Sequence, residues 1–239
     1  MKAARFSRFG GLEVLEIVDL PDPHPGPGQV RIAVRAAGVN ASDWKKREGL
    51  MDQELPQTMG YEAAGIVDEL GVKSGSTVLI NGASGAVGSA AVQLAVARGA
   101  RVIGTGSPAT HGFLRSLGAE PITYGHGMAE RARALAPGGV DLALDVAGSG
   151  VLPELIELAG DPEHVITIAD FAGAQQYSVR FSRGDSGRAI YALAQIRDLI
   201  ESGQFTLPVR QTFRLADVAE AYRVGEAGHV RGKLVLLVD

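Results

Sequence analysis

Three glycines in the middle of the chain have the spacing of a phosphate-binding loop. Gly82, Gly85 and Gly88 follow a short apolar run, 77–80, and precede a predicted helix, 86–97. The first glycine permits a tight turn, the second lets the backbone approach a pyrophosphate, and the third lets the helix pack closely on the strand. The free amides of the helix N-terminus would then face the phosphates. The pattern predicts a dinucleotide site; a plain tight turn is the competing interpretation.

The residues after the next predicted strand, 101–105, indicate which dinucleotide is bound. No Asp or Glu occurs between Arg101 and Ala119, although a carboxylate there would be needed to bind a ribose 2′-hydroxyl. Hydroxyl groups and a cation occupy this stretch instead, among them Ser107 and Arg115. Because such groups suit a 2′-phosphate that a carboxylate would repel, we predict NADP(H) as the cofactor. For Arg115, a solvated surface charge is the competing interpretation.

Alternating strand and helix patterns surround this loop and must position it. Short apolar runs predict strands, and longer runs with helical periodicity predict helices. The predicted strands are 77–80, 101–105, 121–124, 140–146 and 164–169. The predicted helices are 86–97, 113–118, 128–135 and 152–158. This alternation is typical of an α/β fold, here a Rossmann doubly wound parallel sheet with helices on both faces.

The two ends of the chain have a different sequence pattern from the middle, and this pattern predicts a second, smaller β domain. Its strands are expected at 12–18, 29–35, 64–67 and 233–238. Two further helices are expected near 189–200 and 218–222. We therefore predict that 1–70 and 184–239 belong to the smaller domain and that 71–183 is the dinucleotide-binding domain.

The composition excludes several classes of protein. The chain has 239 residues and a net charge of −4, so it has no global attraction for nucleic acid or an anionic membrane. It has no cysteine and only five scattered histidines, which excludes disulfides and argues against a structural zinc site. No N-terminal apolar stretch predicts a signal peptide, so we expect a cytoplasmic location.

Several segments, in family order, resemble the zinc-free medium-chain dehydrogenase/reductase family, in its quinone oxidoreductase-like branch. They are GVNASDW at 38–44, GYEAAG at 60–65, NGASGAVG at 81–88, VIGTGS at 102–107, LGA at 117–119, DVAG at 145–148 and GHVRGK at 228–233. The resemblance implies a GroES-like β domain beside the Rossmann domain, and NADPH-dependent reduction of a small quinone or enone. Zinc-dependent relatives have Cys and His where this chain has Asn40 and Tyr61, so it also implies that no metal is bound.

The resemblance assigns roles to particular residues. Asn40 would face the substrate beside the nicotinamide, and Tyr61 would donate a hydrogen bond, so these two are the catalytic candidates. A core tyrosine is the competing interpretation of Tyr61, and Ser42 and Asp43 are expected to cap the following helix. Pyrophosphate contacts are implied for Gly82, Ala83, Gly85, Ala86, Val87 and Gly88. Contacts to the 2′-phosphate are implied for Ser107 and Tyr124. Contacts to the ribose and nicotinamide are implied for Ala147, Gly148, Ile168, Ala169, Asp170 and Phe171.

One part of the family pattern is missing. In the family, a long segment of the GroES-like domain follows the strand that contains Gly-x-Glu-x-x-Gly, whereas here 68–70 runs straight into 71–77. We expect weak activity, because the missing part would help to wall the active site and exclude water. A non-catalytic NADP-binding protein or a truncated or engineered scaffold is the alternative. The resemblance also implies a homodimer, paired through an edge strand that we place at 165–168.

Overall fold

The computed structural model describes residues 1–26, 31, 33–51, 53–58, 71–182, 190–228, 230 and 232–238. The chain divides into two compact units. The first unit contains Met1–Glu62 and Pro208–Asp239, and the second contains Ala63–Leu207. The sequence-based boundaries, after residues 70 and 183, differ from these, and residues 190–207 lie in the second unit.

Strands and helices alternate through most of the described residues. In chain order the strands are β1 (Lys2–Phe6), β2 (Glu16–Asp19), β3 (Ala36–Gly38), β4 (Gln57–Thr58), β5 (Thr77–Asn81), β6 (Arg101–Thr105), β7 (Ala119–Ile122), β8 (Leu142–Asp145), β9 (Val165–Thr167), β10 (Arg180–Phe181), β11 (Val209–Arg214) and β12 (Lys233–Leu237). The helices are α1 (Ala41–Arg47), α2 (Ala86–Ala97), α3 (His111–Ser116), α4 (Met128–Leu135), α5 (Leu152–Ala159), α6 (Phe171–Tyr177), α7 (Ile190–Glu201) and α8 (Val218–Glu226).

The second unit is built on a six-stranded sheet with the order β10-β9-β8-β5-β6-β7. All neighbouring pairs in it are parallel, so the carboxyl ends of all six strands lie along one edge. The chain proceeds outward from β5 in one direction and from β8 in the other. The boundary between β5 and β8 is therefore the topological switch point, where open α/β sheets bind their ligands. The predicted Rossmann fold is confirmed.

The apolar residues of β5 show why helices cover both faces of this sheet. Val78 and Ile80 belong to one buried cluster, which includes residues of α2, and Leu79 belongs to another, which includes residues of α4 and α5. Successive side chains of a strand point to opposite faces, so a strand without polar alternation must be covered on both sides. The unbroken apolar run of β5 thus determines a three-layer arrangement.

The described residues of the first unit form two three-stranded sheets. One has the order β2-β1-β4 and is antiparallel. The other has the order β11-β12-β3, with β11 parallel and β3 antiparallel to β12. Helix α8 packs against β12 through Tyr222, Leu234 and Leu236, which are all buried. The predicted smaller β region is therefore present.

Some strand predictions at the N-terminal end were wrong or cannot be compared. Residues 12–14 form a 3-10 turn, in which the Val14 amide bonds to Gly11 O at 3.2 Å, and the strand begins only at Glu16. The strand expected at 29–35 lies partly outside the described residues, and its described positions 33–35 precede β3. The strand expected at 64–67 lies wholly outside them.

The edge strand expected for dimer formation is also placed differently. Strand β9 lies inside the sheet, because the two residues of β10 pair with it through Ile166 and Thr167. A pairing segment of two residues has no period that the sequence can reveal. Within the described residues, β7 and β10 are the edges of the six-stranded sheet, so a second copy cannot pair with β9 directly.

Candidate functional site

The glycine loop has the geometry that its spacing predicts. Gly82 has a φ of +82°, a backbone conformation that favours glycine, and it turns the chain directly after β5. A Cβ at Gly88 would lie 2.2 Å from Gly82 O and 2.7 Å from Ala83 Cα. Gly88 therefore lets α2 approach the end of the strand more closely than any side chain would allow.

Gly85 differs from its two neighbours, because the space beside it is open. Among the described residues, a Cβ at Gly85 would approach only Gly82 O, at an ordinary contact distance of 3.5 Å. Gly85 is the N-cap of α2, and the amides of the first turn, Ala86 and Val87 among them, have no acceptor within the helix. Open space beside a helix N-terminus fits the pyrophosphate of a dinucleotide.

Other amides of the loop are committed to the protein itself. The Gly82 amide donates to Thr105 Oγ1 at 2.9 Å, and the Ala83 amide donates to Thr105 O at 3.1 Å. The Gly85 amide donates to Gly82 O at 3.1 Å. Ala83 is fully buried, so its side chain serves the packing of the loop. Of the six residues expected to hold pyrophosphate, Ala86 and Val87 are therefore the half-buried ones whose amides are left for a ligand.

The two residues expected near a 2′-phosphate follow neighbouring strands, β6 and β7. Ser107 is half-buried and is the N-cap of a 3-10 turn, Pro108–Thr110, whose Thr110 amide and hydroxyl both donate to Ser107 O at 2.8 Å. Tyr124 lies in the loop after β7 and is 50% exposed. Because β6 and β7 are adjacent and parallel, both residues lie at the carboxyl edge of the sheet.

Arg131, which the sequence analysis missed, holds the loop that contains Tyr124. Its Nε donates to Thr123 O at 2.9 Å, and its two terminal nitrogens donate to the carbonyl oxygens of Tyr124, Gly125 and His126 at 3.0 to 3.3 Å. A guanidinium that binds four successive carbonyls fixes the path of the loop. The sequence shows only an arginine in the first half of a helix, so no pattern identified this role.

The residues expected around the ribose and nicotinamide follow β8 and β9. Ala147 is exposed, and Gly148 is buried with a φ of +78°. Asp170 caps α6 by accepting a bond from the Gly173 amide at 2.8 Å, and Ile168 and Ala169 beside it are half-buried.

The residue after this cap is aromatic and partly open to solvent. The Phe171 ring is 46% exposed and contacts the Phe181 ring edge-on, with centroids 5.2 Å apart. Since β8 neighbours β5, the structure brings all these loops to the edge that carries the glycine loop.

Of the two catalytic candidates, the structure describes Asn40. It is the N-cap of α1, and its backbone N–H donates to Asp43 Oδ2 at 2.9 Å. The expected capping role of Asp43 is therefore confirmed. The Asn40 side chain accepts a hydrogen bond at Oδ1 from Lys233, whose side chain is buried although it is charged. Sequence reasoning missed Lys233, because 193 positions separate it from Asn40. Tyr61 lies outside the described residues.

The surroundings of Asp43 contain a buried tyrosine, Tyr222. Burial raises the pKa of Tyr222, the Asp43 carboxylate raises it further, and Arg47 lowers it only in part. Ionisation of the Tyr222 hydroxyl is therefore strongly disfavoured. Asp43, Arg47 and Tyr222 are each 1% exposed, so this polar cluster belongs to the interior of the first unit.

The described residues offer neither a cluster of metal-ligating side chains nor a membrane-spanning helix. These contain no group of three or more His, Asp or Glu side chains that could hold a metal ion. The absence of a functional metal therefore stays a prediction that follows from Asn40 and the lack of cysteine. No helix in the described ranges is long and apolar enough to cross a membrane.

Two protein-family models match the chain. The model described as zinc-binding dehydrogenase matches residues 117–236, which is half of the chain. The model described as alcohol dehydrogenase GroES-like domain matches residues 26–136.

Two relatives and one solved structure are similar over nearly all of the chain. The quinone oxidoreductase of Pseudomonas aeruginosa is 26% identical, with 99% of each chain covered. The spectinabilin polyketide synthase system protein NorB of Streptomyces orinoci is 28% identical over 97% of this chain, which spans only 14% of that synthase. The quinone oxidoreductase structure from Coxiella burnetii is 25% identical and has a TM-score of 0.83, with 100% of this chain and 99% of that chain covered.

The alignment with one relative is longer than this chain, which shows that part of that relative is missing here. The alignment with the Pseudomonas aeruginosa protein runs over 322 positions, although this chain has 239 residues. At least 83 positions of that relative therefore have no counterpart here. The chain is therefore substantially shorter than this relative, and the location of the missing part after residue 70 stays a prediction. The matched family models, the Rossmann sheet with its glycine loop and the similarity to quinone oxidoreductases agree with one another. The chain therefore belongs to the medium-chain dehydrogenase/reductase superfamily of nicotinamide-dependent oxidoreductases, in its zinc-free, quinone oxidoreductase-like branch.

Proposed function

We propose that this chain is an NADPH-dependent, zinc-independent oxidoreductase that reduces a quinone or enone. The open cradle between Gly85 and the first turn of α2 carries the proposal, because it fits a pyrophosphate in a unit that contains a whole Rossmann sheet. The names of the Pseudomonas aeruginosa and Coxiella burnetii relatives support the substrate class. A cytoplasmic location and a homodimer remain part of the proposal.

Bound NADPH would supply a hydride, and the residues of this chain would position it and stabilise charge on the substrate oxygen. The amides of Ala86 and Val87 would hold the pyrophosphate. Asn40 would donate a hydrogen bond to the substrate. Asn40 Oδ1 accepts from Lys233 and Nδ2 donates to Gly38 O at 3.5 Å, so Nδ2 is the donor end of the side chain. Lys233 would therefore act as a positioning residue for Asn40.

We predict that NADPH binds more tightly than NADH and that Ser107→Asp removes this preference. A carboxylate at this half-buried position after β6 would repel a 2′-phosphate, and like charges facing each other cost several kcal/mol. The dissociation constant for NADPH should rise at least ~10-fold, while that for NADH changes by less than ~3-fold. Calorimetric titration measures both constants.

The matched control for this change is Ser116→Asp, which adds the same charge at an exposed position on the last residue of α3. It should leave the NADPH constant within ~2-fold of the parent. Equal affinities of the parent for NADPH and NADH would refute the assignment of the 2′-phosphate to this loop.

We predict weak quinone-dependent oxidation of NADPH, which Asn40→Asp should lower further. Asp caps a helix as well as Asn does, so α1 is retained, but its carboxylate has no N–H to donate to a substrate oxygen. Loss of a donor to a developing oxyanion lowers kcat by ~100- to ~1000-fold. Steady-state oxidation of NADPH by a simple quinone gives kcat, and an NADPH titration of both proteins shows that binding is unchanged.

The same rate measurement distinguishes an NADPH-dependent reductase from a non-catalytic NADP-binding protein. An equal rate in parent and variant would show that Asn40 takes no part in catalysis. Binding of NADPH without turnover in the parent would favour a non-catalytic NADP-binding protein. If the shortfall of at least 83 positions falls on the substrate domain as predicted, it favours that second candidate, because the reacting groups would then be poorly held.

A further inference from the structure

Four buried polar side chains lie in a row at the carboxyl edge of the six-stranded sheet. They are Thr105, Asn81, Asp145 and Thr167, called the polar row below, and each is at most 2% exposed. We infer that the polar row links the three cofactor loops into one unit, so that the two halves of the dinucleotide are bound interdependently. The inference rests on the cofactor part of the proposed function.

The hydrogen bonds of the polar row are continuous from one end to the other. Thr105 Oγ1 donates to Asn81 Oδ1 at 2.8 Å, and Asn81 Nδ2 donates to Asp145 Oδ1 at 2.9 Å. Thr167 Oγ1 donates to Asp145 Oδ2 at 2.8 Å. The four residues end four neighbouring strands, in the order β6, β5, β8 and β9. Three strand spacings, ~14 Å, therefore separate the two threonines, which do not touch.

Each loop that is expected to contact the cofactor donates a backbone amide into the polar row. The Gly82 amide of the glycine loop donates to Thr105 Oγ1 at 2.9 Å. Ala147 and Gly148 donate to Asp145 Oδ1 at 3.1 and 2.9 Å. Ala169 and Asp170 both donate to Thr167 Oγ1 at 3.1 Å. A shift of one loop must therefore move or break bonds that hold the other two.

All of these bonds point the same way, toward the carboxylate. The Asn81 side chain and the Thr167 hydroxyl, which donate to Asp145, also accept bonds from groups further out, and such chains polarise one another. The bonds also fix three rotors: the Asn81 amide has one orientation that satisfies Thr105, Asp145 and Gly148, and each threonine hydroxyl has its proton toward the centre.

Stability by itself does not explain a charge in this position. The Asp145 carboxylate is fully buried, and the four groups that donate to it are uncharged. Removing a carboxylate from water is costly, and an apolar side chain of similar size is often as stabilising. The strands on either side are otherwise apolar in their interiors. A buried charge at the ligand edge, whose donors come from the binding loops, is therefore suited to positioning those loops.

The test measures the binding of NADPH and of 2′,5′-ADP by variants that differ from the parent mainly in a hydroxyl group. Thr167→Val removes the hydroxyl that holds the loop after β9, with almost no change of volume. The probe is 2′,5′-ADP, which has the phosphates of the adenosine half and no nicotinamide. If the loops are linked, Thr167→Val raises the dissociation constant for 2′,5′-ADP at least fivefold. The loop after β9, which this variant changes, is assigned to the nicotinamide half of the cofactor and would not contact 2′,5′-ADP. Thr167→Ser, which restores the hydroxyl, should bind 2′,5′-ADP within twofold of the parent.

Controls and a ligand-free readout accompany this measurement. Thr77→Val makes the same chemical change at the opposite end of β5, and it should leave both ligands unaffected. Amide hydrogen exchange of the glycine loop, measured without any cofactor, should become at least threefold faster in Thr167→Val and stay unchanged in Thr77→Val. A merely local role of Thr167 would alter exchange only in its own loop.

A double-variant cycle between the two threonines decides the inference. For distant, independent sites, the loss of NADPH affinity in Thr105→Val/Thr167→Val equals the product of the two single losses within about twofold. If the loops are linked, the loss of NADPH affinity in the double variant is at least threefold smaller than the product of the two single losses. The first substitution would already release both loops, so the second would have little left to disrupt. A multiplicative result with unchanged 2′,5′-ADP binding in Thr167→Val overturns the linkage while the proposed function stands. A parent that binds neither NADPH nor 2′,5′-ADP overturns the proposed function and the inference together.

Discussion

Gly85→Val is expected to abolish NADPH binding and to leave the protein folded. The added side chain would fill the open space in front of the first turn of α2, where the pyrophosphate must approach the backbone. Gly85 has φ −76° and ψ 176°, which any residue adopts, and its Cβ would meet Gly82 O at 3.5 Å, so the fold tolerates the change. The dissociation constant for NADPH should rise at least ~100-fold, which corresponds to about 2.7 kcal/mol.

Calorimetric titration and thermal unfolding measure these two effects separately. Loss of the glycine N-cap should lower the free energy of unfolding by about 1 kcal/mol, or a few degrees in Tm. Saturating NADPH should raise the Tm of the parent and not that of the variant, because a ligand stabilises only the state that binds it. An unchanged dissociation constant in Gly85→Val would show that the loop is only a turn.

Gly88→Val, three residues further on, is expected to destabilise the whole second unit. Its Cβ would lie 2.2 Å from Gly82 O, 2.7 Å from Ala83 Cα and 2.9 Å from Ala83 C, and all of these are backbone atoms that cannot turn aside. Helix α2 would have to move away from β5, which breaks the packing of Val92 and Ala95 against the sheet. We expect a loss of at least ~3 kcal/mol in the free energy of unfolding, at the upper end for overpacked cores.

Urea unfolding of Gly88→Val, compared with Gly85→Val and the parent, checks this expectation. The two variants add the same side chain to the same loop, so any difference between them comes from what surrounds each glycine. A midpoint within the error of the parent would show that α2 does not depend on its close approach to β5. Weak NADPH binding in Gly88→Val would follow from its instability, whereas in Gly85→Val it would occur in a stable protein.

The second unit retains the parts that cofactor binding needs. The second unit has its six strands, its glycine loop and the polar row, whereas the chain is at least 83 positions shorter than the Pseudomonas aeruginosa relative. If the shortfall lies after residue 70 as predicted, it falls on the substrate side. Cofactor binding should then survive better than turnover, because hydride transfer needs a substrate held within reach and shielded from water.

The sequence by itself determined the parts of the protein that depend on local pattern. Helices 86–97 and 128–135 were predicted with the bounds that α2 and α4 have, because helical periodicity and flanking glycines act within one turn of the chain. The turn at Gly82 and the close packing at Gly88 followed from what only glycine permits. The parallel sheet followed from the alternation of short apolar strands with helices.

Only the tertiary structure decided which distant groups meet. Asn81 and Asp145 are 64 positions apart, Thr105 is 24 from Asn81, and Lys233 is 193 from Asn40. Strand order and register set these meetings, and the pairing of the two-residue β10 with β9 was likewise visible only in the tertiary structure. They also determine that the Gly82 and Ala83 amides bond to Thr105, which leaves those of Ala86 and Val87 for a ligand. A hydrogen bond between strands depends on a partner elsewhere in the chain, so no local pattern in the sequence records it.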